Sequence, residues 1–409
     1  MKIILALLSA FLLMTSCSSD DTGRLLIWTD RPELAFYTEY FNASQDRFKV
    51  EVRYFESPAR NLSEPGDSPD IVIASWLKSA STRNLFRPLD DFFDKKGLER
   101  PSFYPRLLSL GRIDNKQYLL PVSFNLPSIV FARDSGIVSS NPFIIELEEI
   151  KQRAVAYNVE ADGVYTRLGF SPLANEEFLF ITSILFGAGF REASPLAWNP
   201  QALELAVSWI RSWNYGSSNS IRMEDDFSFK YFYDPPDKLV NSGRILYTYM
   251  DSSGFFTLPE ERRINLNFRW IGVNEMIPLD ESSVYFAIHR RTKALKAAEA
   301  FTLWFFSVET QRQLLEVSKN KRLNELYFGI AGGFSAIRTV TEQIFPQFYP
   351  GLLGHMPPES FLSPPNILPR NWMAIKERVI IPYLRERIRN PVEARPLERR
   401  ISEWHRLNR

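Results

Sequence analysis

The chain has 409 residues, too many for one ordinary core, so two lobes of about 150 to 200 residues each are expected. Its 49 Lys and Arg balance 48 Asp and Glu, which leaves no single-sign field to attract a nucleic acid or a polyanion. One Cys and three well-separated His (His289, His355 and His405) offer no intramolecular disulfide and no ordinary zinc set, so neither a metal nor a cofactor is expected.

Residues 1–16 read as a secretory signal: Lys2 supplies a basic start, and Ile3 to Met14 is apolar except for Ser9. That run is too short to span a bilayer comfortably. Cys17 follows at once, and Leu13-Met14-Thr15-Ser16-Cys17 resembles a bacterial lipobox, with Met14 where Leu is usual. The resemblance implies an acylated Cys17 and a membrane anchor, because each buried methylene contributes about 0.8 kcal/mol. Residues 17–23 then form a polar tether.

Leu25 to Trp28 is a short apolar strand stopped by Thr29-Asp30-Arg31-Pro32, and Pro32 suits the first turn of a helix. Leu34, Tyr37 and Phe41 recur at helical spacing, and Phe48 to Tyr54 alternates as a strand. This is a βαβ unit, expected to be parallel with a right-handed crossover. Ligands gather at the carboxyl ends of such strands, which puts Asp30 and Arg31 at a candidate rim; capping alone would also explain them. Pro69 to Ala74 is the next strand. Ser75 and Trp76 stand at its carboxyl end, where the indole either faces a cleft or packs on the following helix.

The segment Gly111 to Gly136 is the centre of the reading. Asp114-Asn115-Lys116 makes a tight turn, Tyr118 to Leu120 a strand stopped by Pro121, and Val122 to Phe124 extended chain. Asn125-Leu126-Pro127 interrupts, and Ser128 to Phe131 is a second apolar strand. A strand that pauses and resumes suits a crossing between lobes, with Phe124 and Asn125 where a cleft opens; an ordinary buried hairpin is the alternative.

Asp114, Lys116, Tyr118, Leu120 and Pro121 resemble the hinge strand of the family 1 extracellular solute-binding proteins, the substrate receptors of ABC importers. Pro69-Asp70-Ile71-Val72 and Arg87-Pro88-Leu89-Asp90 resemble further motifs of that family in the same order. The likeness extends over about residues 24 to 405 and departs at Phe131-Ala132, where a Tyr-Asn pair is frequent. It implies an α/β, two-lobed periplasmic-binding-protein-like fold, with a mixed sheet flanked by helices in each lobe. Crossings are expected near residues 122–128 and 282–286. Residues 24–124 and 283–338 would form the first lobe, and 125–282 and 339–409 the second.

Helices are expected from Ile145 to Ala156, Glu176 to Phe186 and Pro200 to Trp213. Leu239 to Asp251 resembles the family strand that leads to a Gly-x-Trp, but the Trp is missing. Alternation leaves Tyr249 and Asp251 nearest its carboxyl end, as candidates for that place. Gly332 to Arg338 stands where the family has a Leu-Pro-Ala loop, and the resemblance adds Phe334 to the binding set. Prolines are dense from Phe345 to Pro369, which predicts a long surface loop, followed by helices from Asn371 to Arg389 and Leu397 to Trp404.

No nucleophile elbow, phosphate loop or His-Glu-x-x-His is present, and no facing carboxylate pair is singled out, so no catalytic residue is expected. The resemblance implies a monomeric, extracytoplasmic lipoprotein that delivers a sugar or oligosaccharide to an ABC permease. A surface lipoprotein using the fold as a scaffold and a glycoside-active enzyme are the other readings.

Overall fold

The computed structural model describes residues 23–137, 141–215 and 220–408; the expected signal segment and Cys17 lie outside them. Two sheets organise the chain. The first contains β1 (Arg24–Thr29), β2 (Lys49–Tyr54), β3 (Ile71–Ala74), β4 (Leu120–Phe124), β9 (Val284–Ile288) and β10 (Phe334–Ser335), in the order β10-β4-β9-β3-β1-β2. The second contains β5 (Pro127–Ala132), β6 (Ile144–Ile145), β7 (Thr248–Asp251) and β8 (Leu266–Ile271), in the order β7-β5-β8-β6. Each sheet is mixed: β1 pairs in parallel with β2 and β3, while β9 pairs antiparallel with β3 and β4.

The βαβ unit forms as its periodicity requires. Helix α1 (Leu34–Ser44) buries Leu34, Tyr37 and Phe41, and returns the chain to β2 beside β1. The turn at Asp114-Asn115 takes φ of 48° and 64°, the left-handed pair that a two-residue hairpin loop requires.

Pro121 does not stop a strand, contrary to the sequence expectation; β4 runs through it, starting at Leu120 rather than Tyr118. The neighbour β10 reaches only Ser123 and Phe124, so no ladder bond is asked of Pro121 on that side. On the other side the β4–β9 register shifts between Val284 and Tyr285, the kind of irregularity that admits proline.

Two residues, Asn125 and Leu126, carry the chain from β4 of the first sheet to β5 of the second. Ser282 and Ser283 bring it back into β9. The apolar interior is continuous across the hinge: one cluster runs from Ile27, Ile73 and Phe286 through Phe124 and Phe334 to Phe256, Phe268 and Trp270. A second cluster fills the far lobe around Phe178, Phe180, Trp213 and Trp372.

The proline-rich stretch is not a long surface loop. Leu352, Phe361, Leu362 and Leu368 are buried, and Leu362–Ser363 pairs in parallel with Ile277–Pro278. Apolar residues spaced among the prolines anchor it. The helix over Trp372–Arg389 widens into a π turn at Lys376–Ile380, two residues before Pro382. The same device precedes Pro346, where Val340–Ile344 is a π turn. A proline has no N–H to give and its ring clashes with the carbonyl four residues back, so the preceding turn loosens.

Candidate functional site: a polar pocket at the hinge

The loops after β1 and β3 meet at the second crossing. Arg31 Nη2 donates to Ser75 Oγ at 2.8 Å and to the Ser282 carbonyl at 3.3 Å. Ser75 Oγ donates to the same carbonyl at 2.7 Å, and the Ser75 amide donates to Asp30 Oδ2 at 3.1 Å. Asp30 Oδ1 completes the set as an ion pair with Arg31 Nε at 3.2 Å. Glu33 is buried behind them, and that burial raises its pKa against the pull of its own amide and Arg31. Gly332 covers the cluster with φ of +76°; a Cβ there would sit 3.3 Å from Arg31 Nη1 and 3.4 Å from Glu33 Oε1.

From Ser282 the network passes into the second lobe. Its amide donates to Asp280 Oδ1 at 2.6 Å, and its hydroxyl donates to the same oxygen. Asp251, at the end of β7, caps the next helical turn by accepting from the Gly254 amide at 2.7 Å. Burial, and then the charge of Asp280, push the Asp251 carboxyl up to about 6. Lys376 is supplied by the π turn. It pairs with Glu281 and, at 2.7 Å, with Glu177, and it lies 4.3 Å from the centre of the Phe180 ring. Burial lowers its pKa, but Glu281 and then Glu177 outweigh that and hold the ammonium above its usual value. Burial raises Glu281, opposed by Lys376.

These groups surround a pocket of ≈ 370 Å³ whose walls include Glu177, Tyr249, Asp251, Asp280, Ser282 and Lys376. With Glu281, four carboxylates face one ammonium. Such a wall offers several acceptors and few donors, which suits a polyhydroxylated solute. A larger hollow of ≈ 550 Å³ lies between Arg106 and Leu110 of the first lobe and Glu192 and Pro364 of the second. None of the residues singled out in the sequence lines it. Among the described residues, no group of His, Cys, Asp or Glu is arranged to hold a metal ion.

The expected site residues do not all reach the pocket. Tyr249 and Asp251 line the pocket; Arg31 and Ser75 stand one hydrogen bond away through the Ser282 carbonyl, and Asp30 stands behind them, bound to the Ser75 amide. Trp76 is partly exposed, packs against the cores of both lobes, and holds φ of 64°. Phe124 and Phe334 do not face the cleft. Both are fully buried, opposite one another in the β4–β10 ladder, with ring centroids 5.7 Å apart. Their rings belong to the hinge core because β10 turns Phe334 inward against Trp270 and Phe256. Asn125 is spent on the hinge itself: Nδ2 donates to the Gly332 carbonyl at 2.8 Å, and Oδ1 accepts from Ser252 Oγ at 2.6 Å.

Sequence reading missed Glu177, Asp280, Glu281 and Lys376. Glu177 and Lys376 are 199 positions apart, and no local pattern announces that they meet.

No protein-family model matches the chain, and no curated protein matches it by sequence. Solved structures do match it. An ABC substrate-binding protein from Listeria monocytogenes in complex with cycloalternan is 12% identical, with a TM-score of 0.60, covering 93% of this chain and 96% of that one. The maltose/maltodextrin-binding domain MalE from Bdellovibrio bacteriovorus, bound to maltotriose, is 13% identical, with a TM-score of 0.60, covering 94% and 100%. A mannotriose-bound protein is 13% identical, with a TM-score of 0.61, covering 93% and 98%. At these identities the likeness is one of fold: this chain has the two-lobed fold of the ABC substrate-binding proteins.

Proposed function

We propose that the protein is an extracytoplasmic receptor, anchored through an acylated Cys17, that holds a sugar or oligosaccharide between its lobes and presents it to an ABC permease on hinge closure. The observation that carries this reading is the pocket of ≈ 370 Å³ that second-lobe residues form up to Ser282, whose carbonyl accepts from Arg31 and Ser75 of the first lobe. Asp251, Asp280 and Glu177 provide acceptors for hydroxyl groups, and Tyr249 offers a ring face to the carbon–hydrogen side of a sugar. The solved proteins of this fold include several bound to oligosaccharides, which supports the same class of solute here. Closure follows from differential affinity: a solute shuts the hinge by as much as it prefers the closed form.

A thermal-shift screen with maltotriose, mannotriose and mannitol tests the reading. A solute at a hundred times its Kd adds about 2.7 kcal/mol to stability. A rise in midpoint with one of them, lost in Asp251→Ala, supports it; no rise with any saccharide or polyol overturns it. The anchor is tested separately. Cys17→Ala is expected to leave the protein in the aqueous phase of a detergent partition, and its retention in the detergent phase would overturn acylation at that residue.

A further inference from the structure

A second cavity, of ≈ 220 Å³, lies on the other side of Glu281. Aromatic and aliphatic side chains make up most of its wall, Phe180, Phe190, Trp372, Ile184, Leu279 and Leu368, with Glu281, Ser363 and Asn366 as its polar side chains. The Phe180 and Phe190 rings are stacked with centroids 6.0 Å apart and planes 20° apart, and Trp372 lies 5.9 Å from the first and 5.5 Å from the second. Gly187 and Gly189, at φ of 94° and 56°, add backbone to the wall without side chains to fill the space.

Two of the polar groups around it are engaged elsewhere. Glu281 Oε1 holds Lys376 and accepts from Trp372 Nε1 at 3.3 Å. Asn366 Nδ2 donates to the carbonyls of Gly189 and Phe190, each at 3.2 Å. A hydroxylated ring placed there would bury those of its hydroxyls that face Phe180, Phe190 and Trp372 without partners, which is unfavourable. An apolar ring has no such cost. The size agrees, since an apolar cavity of about 150 Å³ is enough for benzene.

We propose that this cavity is a binding site for a single aromatic ring, separate from the polar pocket and on the opposite face of the Glu281–Lys376 pair. A solute or regulator that uses it carries an aryl group. The site does not depend on which saccharide the polar pocket takes, so saccharide titrations and aryl titrations report on different readings.

Fluorobenzene is the probe in solution. Its fluorine resonance is expected to broaden on adding the protein, to stay broad in excess glucose, and to sharpen again with Ile184→Trp, whose indole would fill the cavity. Crystals soaked in bromobenzene are expected to show anomalous bromine density among Phe180, Phe190 and Trp372. That density decides the question alone if Ile184→Trp does not fold. A resonance unmoved by the unmodified protein, displacement of the ring by glucose, or bromine density elsewhere overturns the proposal.

Discussion

Glu192 of the second lobe clasps Ser79 of the first: one carboxylate oxygen accepts from Ser79 Oγ at 2.6 Å, and the other accepts from the Ala80 amide at 2.7 Å. The Glu192 amide is in turn tied to the Ile367 carbonyl at 2.7 Å, so the carboxylate is presented from a fixed backbone. A further bond, from Arg370 Nη1 to Ser63 Oγ at 2.5 Å, joins the lobes nearby. Hydrogen bonds to a charged acceptor contribute about 1.5 to 3 kcal/mol, and partial exposure places this clasp at the lower end. Glu192→Ala is therefore expected to shift the open-to-closed ratio about tenfold toward open. Small-angle scattering should show a larger radius of gyration, with weaker saccharide binding. An unchanged radius and unchanged affinity would mean that the clasp contributes nothing to closure.

The pocket should leave a signature in the pH dependence of stability. Asp251 has its folded pKa raised to about 6 by burial and then by Asp280. A raised carboxyl binds its proton more tightly in the folded chain, so its contribution is fully present below the unfolded pKa. It is lost as pH rises through about 6. Asp251→Asn keeps a side-chain oxygen to accept from the Gly254 amide but removes the charge. The variant is expected to match the unmodified protein near pH 4 and to be more stable at pH 8 by on the order of 1 to 2 kcal/mol. Glu224 is raised to about 7 by burial and contributes the same trend. The difference between Asp251→Asn and the unmodified chain isolates Asp251. Equal midpoints at both pH values would refute the assignment.

Local pattern made the first lobe legible. The strand, turn and helix around Asp30 and Arg31 follow from apolar spacing and Pro32, and the hinge follows from two apolar strands separated by Asn125-Leu126. Which aromatics face the cleft was not legible. Phe124 ends β4 and Trp76 follows the end of β3, each beside a polar residue, yet β10 covers Phe124 while Trp76 takes a left-handed turn. That difference depends on Phe334, more than two hundred positions away from either residue. The carboxylates and Lys376 were hidden for the same reason, because the pocket assembles from four separate stretches of chain.

Phe124 belongs to the hinge core, against Tyr104 and Phe334 at centroid distances of 5.5 and 5.7 Å. Phe124→Ala is expected to cost about 3 to 5 kcal/mol by chemical denaturation, with or without solute. A loss under 1 kcal/mol together with abolished solute binding would return Phe124 to the cleft.

Trp76 is where local strain and the interlobe space coincide. A tryptophan at φ of 64° brings its Cβ close to the following carbonyl, at a cost of about 1 to 2 kcal/mol. Surrounding structure must impose such a conformation, and strained residues of this kind gather at binding sites. Its ring also packs against the cores of both lobes, so its surroundings change whenever the hinge moves. Trp76→Ala and Trp76→Gly delete the same ring, but only glycine releases the strain. Trp76→Gly is therefore expected to be about 1 kcal/mol more stable than Trp76→Ala, against the usual penalty for glycine in the unfolded chain. Both variants should lose the solute-induced rise in midpoint, because the ring is gone in each. Equal stability of the two would show that the backbone is unstrained in solution. A full solute response in both would remove Trp76 from the binding site.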